Sequence, residues 1–107
     1  MTYNAQQLRH KITFDRLETV IDEDTGYRTE EWVPIAAAFA RMDPMVGRER
    51  LLSEAIRPEE VTKFTTRWID GITPADRLVH RGEFWNMQSI VDVGGLRREM
   101  LIYATKV

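Results

Sequence analysis

The sequence predicts a mainly β protein: a small antiparallel β-barrel of about six strands, with a long loop or short helix inserted at about residues 45–60. Segments of alternating apolar and polar residues recur along the chain, as they do in half-buried strands. Turn residues separate these segments about every ten residues, a spacing typical of sandwiches and small barrels. The length of 107 residues fits one domain spanning 1–107.

The first strand is predicted in RHKITFDR at 9–16, where His10, Ile12 and Phe14 share one face. The acidic DEDTG at 22–26 predicts a turn, with Gly26 available for a positive φ. Residues 27–42 are rich in aromatic and β-branched residues and predict a second strand. Pro34 must lie there at an edge or a bulge, because proline donates no ladder hydrogen bond.

The second half of the chain continues the alternation. VTKFTTRW at 61–68 predicts a strand, residues 77–80 a short one, Arg81-Gly82 a tight turn, and residues 83–91 a long strand. In the long strand, Trp85, Met87, Ser89 and Val91 are expected on one side. Gly94-Gly95 makes another turn, and REMLIYATKV ends the chain as a strand. The expected core scaffold consists of Ile12, Phe14, Phe64, Trp68, Met87 and Leu101.

Residues 45–60 lack strand alternation. Leu51, Leu52, Ala55 and Ile56 fall on one stripe at helical spacing, and Pro58 would end a helix. Insertions of this length in compact domains are usually functional or disordered. An amphipathic turn that plugs one end of the barrel is the structural alternative. Residues 1–7 are polar and expected to be flexible.

Composition and motifs argue against catalysis and against a membrane location. The chain has no Cys, which excludes disulfides and thiolate metal sites. The two histidines, His10 and His80, show no zinc-motif spacing, and neither serine lies in a nucleophile-elbow context. The DEDTG loop fails the EF-hand register. We therefore predict no enzyme activity, no cofactor and no metal, and the lack of a long apolar run predicts no membrane span.

Nucleic-acid binding is a weaker alternative. Fifteen basic and seventeen acidic residues give a formal charge of −2, whereas dedicated nucleic-acid binders are usually basic. A stacking platform could be built from Phe64, Trp68, Phe84 and Trp85 beside Lys63, Arg67 and Arg81. The alternation, however, sends Phe64 and Trp68 to the face opposite Lys63 and Arg67, which favours a core role.

Four stretches in a fixed order carry a resemblance to a known family: LRHKITFDR at 8–16, GRE at 47–49, GITPADRL at 71–78 and VGGLRRE at 93–99. Together they resemble the phage head–tail joining family, the head-closure or stopper proteins of long-tailed phages and prophages. The similarity extends from about Leu8 to Val107. Lys63 departs from the pattern, because a His commonly follows the position of Thr62.

The resemblance implies a β-barrel that assembles as a ring beneath the portal and adaptor rings, closes the DNA exit channel and presents a surface for the tail. The insertion would be the channel-facing loop. Its gate and ring-contact residues would be Gly47, Arg48, Glu49, Arg50 and Arg57.

The implied partners are portal, adaptor and tail proteins of the same phage, with possible non-specific contact with packaged DNA. The protein would be mainly monomeric in isolation, would pass through the host cytoplasm during assembly and would end in the virion head–tail connector. A single-stranded nucleic-acid-binding barrel and a tail-completion or adaptor protein are the alternative functions.

Overall fold

Six antiparallel strands form a closed barrel in the computed structural model, which describes residues 8–44 and 61–107. The strands are β1 (His10–Ile21), β2 (Arg28–Pro44), β3 (Val61–Arg67), β4 (Arg77–His80), β5 (Glu83–Asp92) and β6 (Glu99–Lys106). Around the barrel their order is β1-β2-β3-β6-β5-β4, and β4 closes on β1. A single 3₁₀ turn at Val93–Gly95 joins β5 to β6. The predicted mainly β, six-stranded antiparallel barrel is confirmed. The predicted loop or short helix at 45–60 and the expected flexibility of residues 1–7 lie outside the described residues.

A β-bulge accommodates Pro34 in β2. Phe14 pairs with Ala36 while Asp15 pairs with Pro34, so Ile35 is the extra residue in the ladder. A proline cannot donate a ladder hydrogen bond, and an irregular position tolerates that loss. The expectation that Pro34 lies at an edge or a bulge is confirmed.

A second bulge in β5 overturns part of the predicted alternation. Met87 pairs with Ala104 and Ser89 with Tyr103, so one residue of β5 has no opposite partner. Beyond this point the two faces exchange: Ile90 packs against the core, and Val91 is 42% exposed. The prediction that Val91 shares the face of Met87 is therefore wrong, because a single inserted residue reverses a pattern of period two.

The barrel interior contains large apolar side chains from five of the strands. Phe64 of β3 and Trp85 of β5 meet edge to face, with ring centroids 5.1 Å apart. The buried hydrophobic cluster consists of Ile12, Phe14, Ala40, Phe64, Leu78, Trp85, Met87, Met100, Ile102 and Ala104. Four of the six expected scaffold residues belong to this cluster.

The other two expected scaffold residues lie elsewhere. Trp68 is half-buried and packs against the margin of the core, and its Nε1 donates a hydrogen bond to Asp70 Oδ1 at 2.6 Å. Leu101, expected in the core, is half-buried and lies outside the cluster. In β6 the interior positions belong to Met100 and Ile102, and strand alternation then directs Leu101 to the outer face.

We expect Phe64→Ala to lower the free energy of unfolding by about 3–5 kcal/mol, because it leaves a cavity beside Trp85 in the centre of the barrel. Phe39→Ala is the matched control. Phe39 is 57% exposed, and its truncation should change stability by no more than about 0.5 kcal/mol. Urea unfolding of both variants measures the difference, and equal effects would contradict the assigned core.

Candidate interaction surface

The hairpin formed by β1 and β2 extends beyond the barrel wall. β4 pairs with β1 only at residues 13–15, and β3 pairs with β2 only at residues 40–44. Among the described strands, the rest of the hairpin pairs only with itself, from Arg16 with Val33 to Ile21 with Arg28. We call residues 17–33 the arm. It explains a radius of gyration of 15.8 Å, against about 13 Å for a compact domain of this length.

The tip of the arm is an ordered turn. The Gly26 N–H donates to the Asp22 carbonyl at 2.7 Å, and the Asp22 N–H donates to the Tyr27 carbonyl at 2.9 Å. Asp22 Oδ1 also accepts from the Asp24 N–H, and this hydrogen bond lowers the pKa of the Asp22 carboxyl. Gly26 has φ 72°, which glycine adopts without strain. The predicted turn at 22–26 is confirmed.

Apolar side chains of the arm are open to solvent. Tyr27 is 73% exposed, and Leu17, Val20, Ile21 and Trp32 are also exposed. A two-stranded hairpin is only marginally stable by itself in water. A concentration of exposed apolar residues on such an element is typical of a protein–protein contact surface.

Charge is divided unevenly between the arm and the barrel. The arm contains six carboxylates and one Arg, a formal charge of −5. The rest of the described chain contains eleven Lys and Arg against seven Asp and Glu, a formal charge of +4. Residues 45–60 add −1, so the net charge of −2 is the sum of an acidic arm, a basic body and this small contribution.

A buried carboxylate holds the root of the arm. Asp76 accepts hydrogen bonds from Arg16 Nε at 2.9 Å and Arg16 Nη2 at 3.0 Å, and from the Thr73 N–H at 2.9 Å. Arg16 Nη2 also donates to the Gly71 carbonyl at 2.6 Å. These hydrogen bonds, that of Arg16 first, lower the pKa of Asp76. The bidentate pair fixes β1 to the β3–β4 connection at the point where β1 leaves the barrel.

Arg77 fixes the root of the arm from the outer face. Its guanidinium lies between two rings, 4.3 Å from the centroid of Trp32 on the arm and 3.9 Å from that of Phe84 on β5. Arg77 Nη2 also donates to Asp15 Oδ2 at 3.2 Å. A planar guanidinium stacks well on aromatic faces, so this residue connects the arm to two strands of the barrel.

A groove of about 440 Å³ lies beside β2 near the base of the arm. Most of its lining is apolar, including Leu8, Ala37, Phe39 and Ile69, and the exposed Arg67 adds a positive charge. Phe39 stands in the groove with more than half of its surface exposed. The groove can therefore receive an apolar side chain with an acidic neighbour.

The antiparallel topology separates the connections into two ends. The arm, the β3–β4 connection and the β5–β6 turn leave one end of the barrel. The β4–β5 turn lies at the other end, as do Pro44 and Val61, which flank residues 45–60. The chain thus presents different surfaces in two opposite directions.

The predicted site residues Gly47, Arg48, Glu49, Arg50 and Arg57 lie outside the described residues, so their gate role stays a prediction. The arm is a candidate surface that the sequence analysis did not identify. Its signal was present in the acidic content of residues 17–33 and in apolar residues on both faces of the hairpin.

The aromatic residues proposed for nucleobase stacking do not form one exposed platform. Phe64 and Trp85 are buried against each other, and Trp68 lies at the core margin. Phe84 is partly exposed and stacks on Arg77. This arrangement favours a structural role for the aromatic residues.

Two histidines meet at the end of the barrel opposite the arm. The rings of His10 and His80 are 5.2 Å apart in an edge-to-face arrangement. Burial lowers the pKa of His80, the charges of His10 and Arg81 lower it further, and Glu83 opposes them. Within residues 8–44 and 61–107, no group of three His, Asp or Glu side chains could hold a metal ion. No helix in these ranges has the length and apolarity needed to cross a bilayer.

Comparison with known proteins assigns the chain to a class and a family. The model of the family described as phage head completion protein matches residues 3–107. The chain is thus a virion structural protein. It belongs to the phage head completion protein family. Among curated proteins, no sequence matches this chain.

Solved structures share the fold, including the following two. The solution structure of protein SF1141 from Shigella flexneri 2a has a TM-score of 0.76 and 20% identity, and the alignment covers 97% of this chain and 96% of that one. A chain from the virion of a native gene transfer agent particle has a TM-score of 0.58 and 12% identity, with 94% and 96% covered. At these identities both likenesses establish the barrel fold alone.

We expect Asp76→Asn to lower the free energy of unfolding by about 1.5–3 kcal/mol at neutral pH, because Arg16 loses a charged, bidentate partner. The pKa of Asp76 is lower in the folded state, so its contribution is present above the unfolded pKa. In the parent this contribution is lost as the pH falls below the unfolded pKa, about 4, and through the lower folded pKa. Asp43→Asn, in the more exposed pair with Arg41, is the control and should cost less than about 1 kcal/mol. Equal pH profiles for parent and Asp76→Asn would contradict this assignment.

His80 should make the protein less stable in mild acid. Its folded pKa lies below that of an unfolded His, so the contribution is present above about pH 6.5 and is lost as the pH falls through the folded value. Thermal melts between about pH 7.5 and 5 should show a smaller loss of stability for His80→Gln than for the parent. If the melting temperature of His80→Gln falls with pH as steeply as that of the parent, the buried imidazole of His80 does not cause the loss of stability in mild acid.

Proposed function

We propose that this chain is a connector that joins the phage head to the tail. In this proposal it assembles as a ring under the portal and adaptor proteins, closes the DNA exit channel and presents the surface to which the tail attaches. The observation that carries the proposal is membership of the phage head completion family over residues 3–107. The resemblance of four ordered sequence stretches to head-closure proteins supports the same role.

The two-ended geometry of the barrel supports a connecting role. A connector must contact one assembly on one side and a different assembly on the other. The arm and the two connections beside it leave one end of the barrel, and Pro44 and Val61 lie at the other. The portal side and the tail side can therefore be contacted by different segments.

The charge distribution supports a structural connector over a single-stranded nucleic-acid-binding protein. Binding to nucleic acid derives much of its affinity from Lys and Arg that neutralise phosphates. The exposed arm has a formal charge of −5 and would repel a phosphate backbone. Contact with packaged DNA would instead involve Arg48, Arg50 and Arg57 of the insertion, and it would be non-specific.

We assign residues 45–60 to the channel gate within this proposal. The segment connects Pro44 to Val61 at the end of the barrel away from the arm. The expected gate and ring-contact residues are Gly47, Arg48, Glu49, Arg50 and Arg57. A tail-completion or adaptor role would place the essential contacts elsewhere, and binding to the isolated portal–adaptor assembly distinguishes the two.

Replacement of residues 46–56 by a short Gly/Ser linker tests the gate. We expect a folded barrel, because the described strands close the sheet by themselves and Pro44 pairs with Thr62 on the neighbouring strand, a short distance that a linker can span. Particles assembled with the variant should package DNA, lose it before tails attach and yield almost no infectious virus. The measurement is the DNA content of tailless heads, compared with parent heads.

A full-length variant with Arg48, Arg50 and Arg57 changed to Gln is the matched control, since it keeps the segment and removes its positive charges. DNA retention by this variant would assign the gate to the backbone segment, and DNA loss would assign it to the three cations. Heads that keep their DNA with the linker variant would contradict the gate role of residues 45–60. The connector role would then be decided separately, by binding to the isolated portal–adaptor assembly.

A further inference from the structure

We propose that the arm of one copy docks into the groove of the next copy. Ile21 and Tyr27 of the tip would enter the groove beside Phe39, and the acidic tip would face Arg67. The inference rests on the proposed connector function and deepens it, because it names the contact by which copies associate.

The two surfaces have matching chemistry. Tyr27 and Ile21 are the most exposed apolar residues of the arm, 73% and 57% respectively. The groove is mostly apolar and half open, with a volume of about 440 Å³, which is large enough to receive a side chain. Its Phe39 offers an exposed ring at which a tyrosine and an isoleucine can be buried. Removal of these apolar surfaces from water would favour association.

Charge complementarity identifies a second copy as the occupant. The arm has a formal charge of −5, and the rest of the described chain has +4. Glu23 and Asp24 belong to the tip turn that precedes Tyr27, and Arg67 lines the groove. A basic body that carries an acidic arm is electrostatically complementary to another copy of itself, and such complementarity selects the partner and its orientation.

The arm cannot reach the groove of its own chain. Tyr27 directly precedes β2 and lies ten positions before Ala37, which is in that strand, a separation of roughly 30 Å along extended chain. The contacts of Arg16 with Asp76 and of Arg77 with Trp32 fix the root of the arm in this extended direction. The contact must therefore be between copies.

The arm tip and the groove are different surfaces, so the contact is heterologous. Such contacts repeat from copy to copy and form a ring when the rotation closes. The buried area at one tip is small, and interfaces below about 1,200 Å² are weak. Isolated copies would therefore be mainly monomeric at modest concentration, and the contact would act when a portal assembly holds neighbouring copies together.

Two double variants test the contact in the full chain. The arm variant, Ile21→Ser with Tyr27→Ser, cannot insert a tip but keeps its groove. The groove variant, Phe39→Ser with Arg67→Glu, cannot receive a tip but keeps its arm. Sedimentation velocity of the parent over a concentration series up to about 1 mM, in the range of weak contacts, should show association that weakens with added salt.

Each double variant alone should associate at least about tenfold more weakly than the parent. An equimolar mixture of the two should form a one-to-one heterodimer and no larger species, because one intact arm and one intact groove remain. Leu96→Ser, an exposed residue of the β5–β6 turn, is the control and should associate like the parent. Circular dichroism verifies that every variant is folded.

The proposal is overturned by a parent that stays monomeric to about 1 mM, by an arm variant that associates like the parent, or by a mixture of folded variants that stays monomeric. A complementation assay separates this from the connector role. If the parent restores infectivity to a phage lacking the gene but does not self-associate, only the arm contact fails. If it does not restore infectivity, the connector role fails.

Discussion

The seam between β1 and β4 contains three residue pairs, formed by residues 13–15 and 77–79. Because only this short ladder closes the barrel, side-chain contacts beside it must help to hold β1 and β4 together. Phe14 and Leu78 face each other across the seam and are fully buried. Next to them, Asp15 binds Arg77 on the outside and Arg16 binds Asp76 at the end of the barrel. The core, the closure of the sheet and the direction of the arm all depend on this one seam.

The residues of the seam also join the barrel to its interaction surface. Arg16 of β1 binds the β3–β4 connection through Asp76 and Gly71. Arg77 of β4 binds Asp15 of β1 and stacks on Trp32 of the arm. The same two guanidinium groups therefore stabilise the closed sheet and orient the arm. Arginine suits this position, since its planar donors satisfy a carboxylate bidentately and its face stacks on rings. Two of the twelve Arg residues in the chain therefore have a structural role at the seam.

The strands and turns were predictable from the sequence because alternation and glycine-rich turns are local signals. The short strand at 77–80 and the turn at Gly26 depend on such signals alone. Leu101 and Val91 were predicted on the wrong faces of their strands. Which side chains point inward depends on strand register and on bulges, and these are determined by pairing with strands that are distant in sequence. The arm escaped prediction for a related reason: alternation does not reveal where the neighbouring strands end. The expected site at residues 47–57 came from the family resemblance and stays a prediction.

The continuity of β1 and β2 through the arm into the barrel wall determines how the protein would respond to mechanical force. These two strands are paired at twelve positions, from the tip to the far side of the sheet. A pull on the arm along its axis would be carried by the backbone directly into the wall. The hydrogen bonds between the wall strands would then be stressed in shear, so that many must break together. If the arm were attached through a loop, the hydrogen bonds between the wall strands could break one after another. The continuous strands of this barrel therefore suit a joint that is under tension.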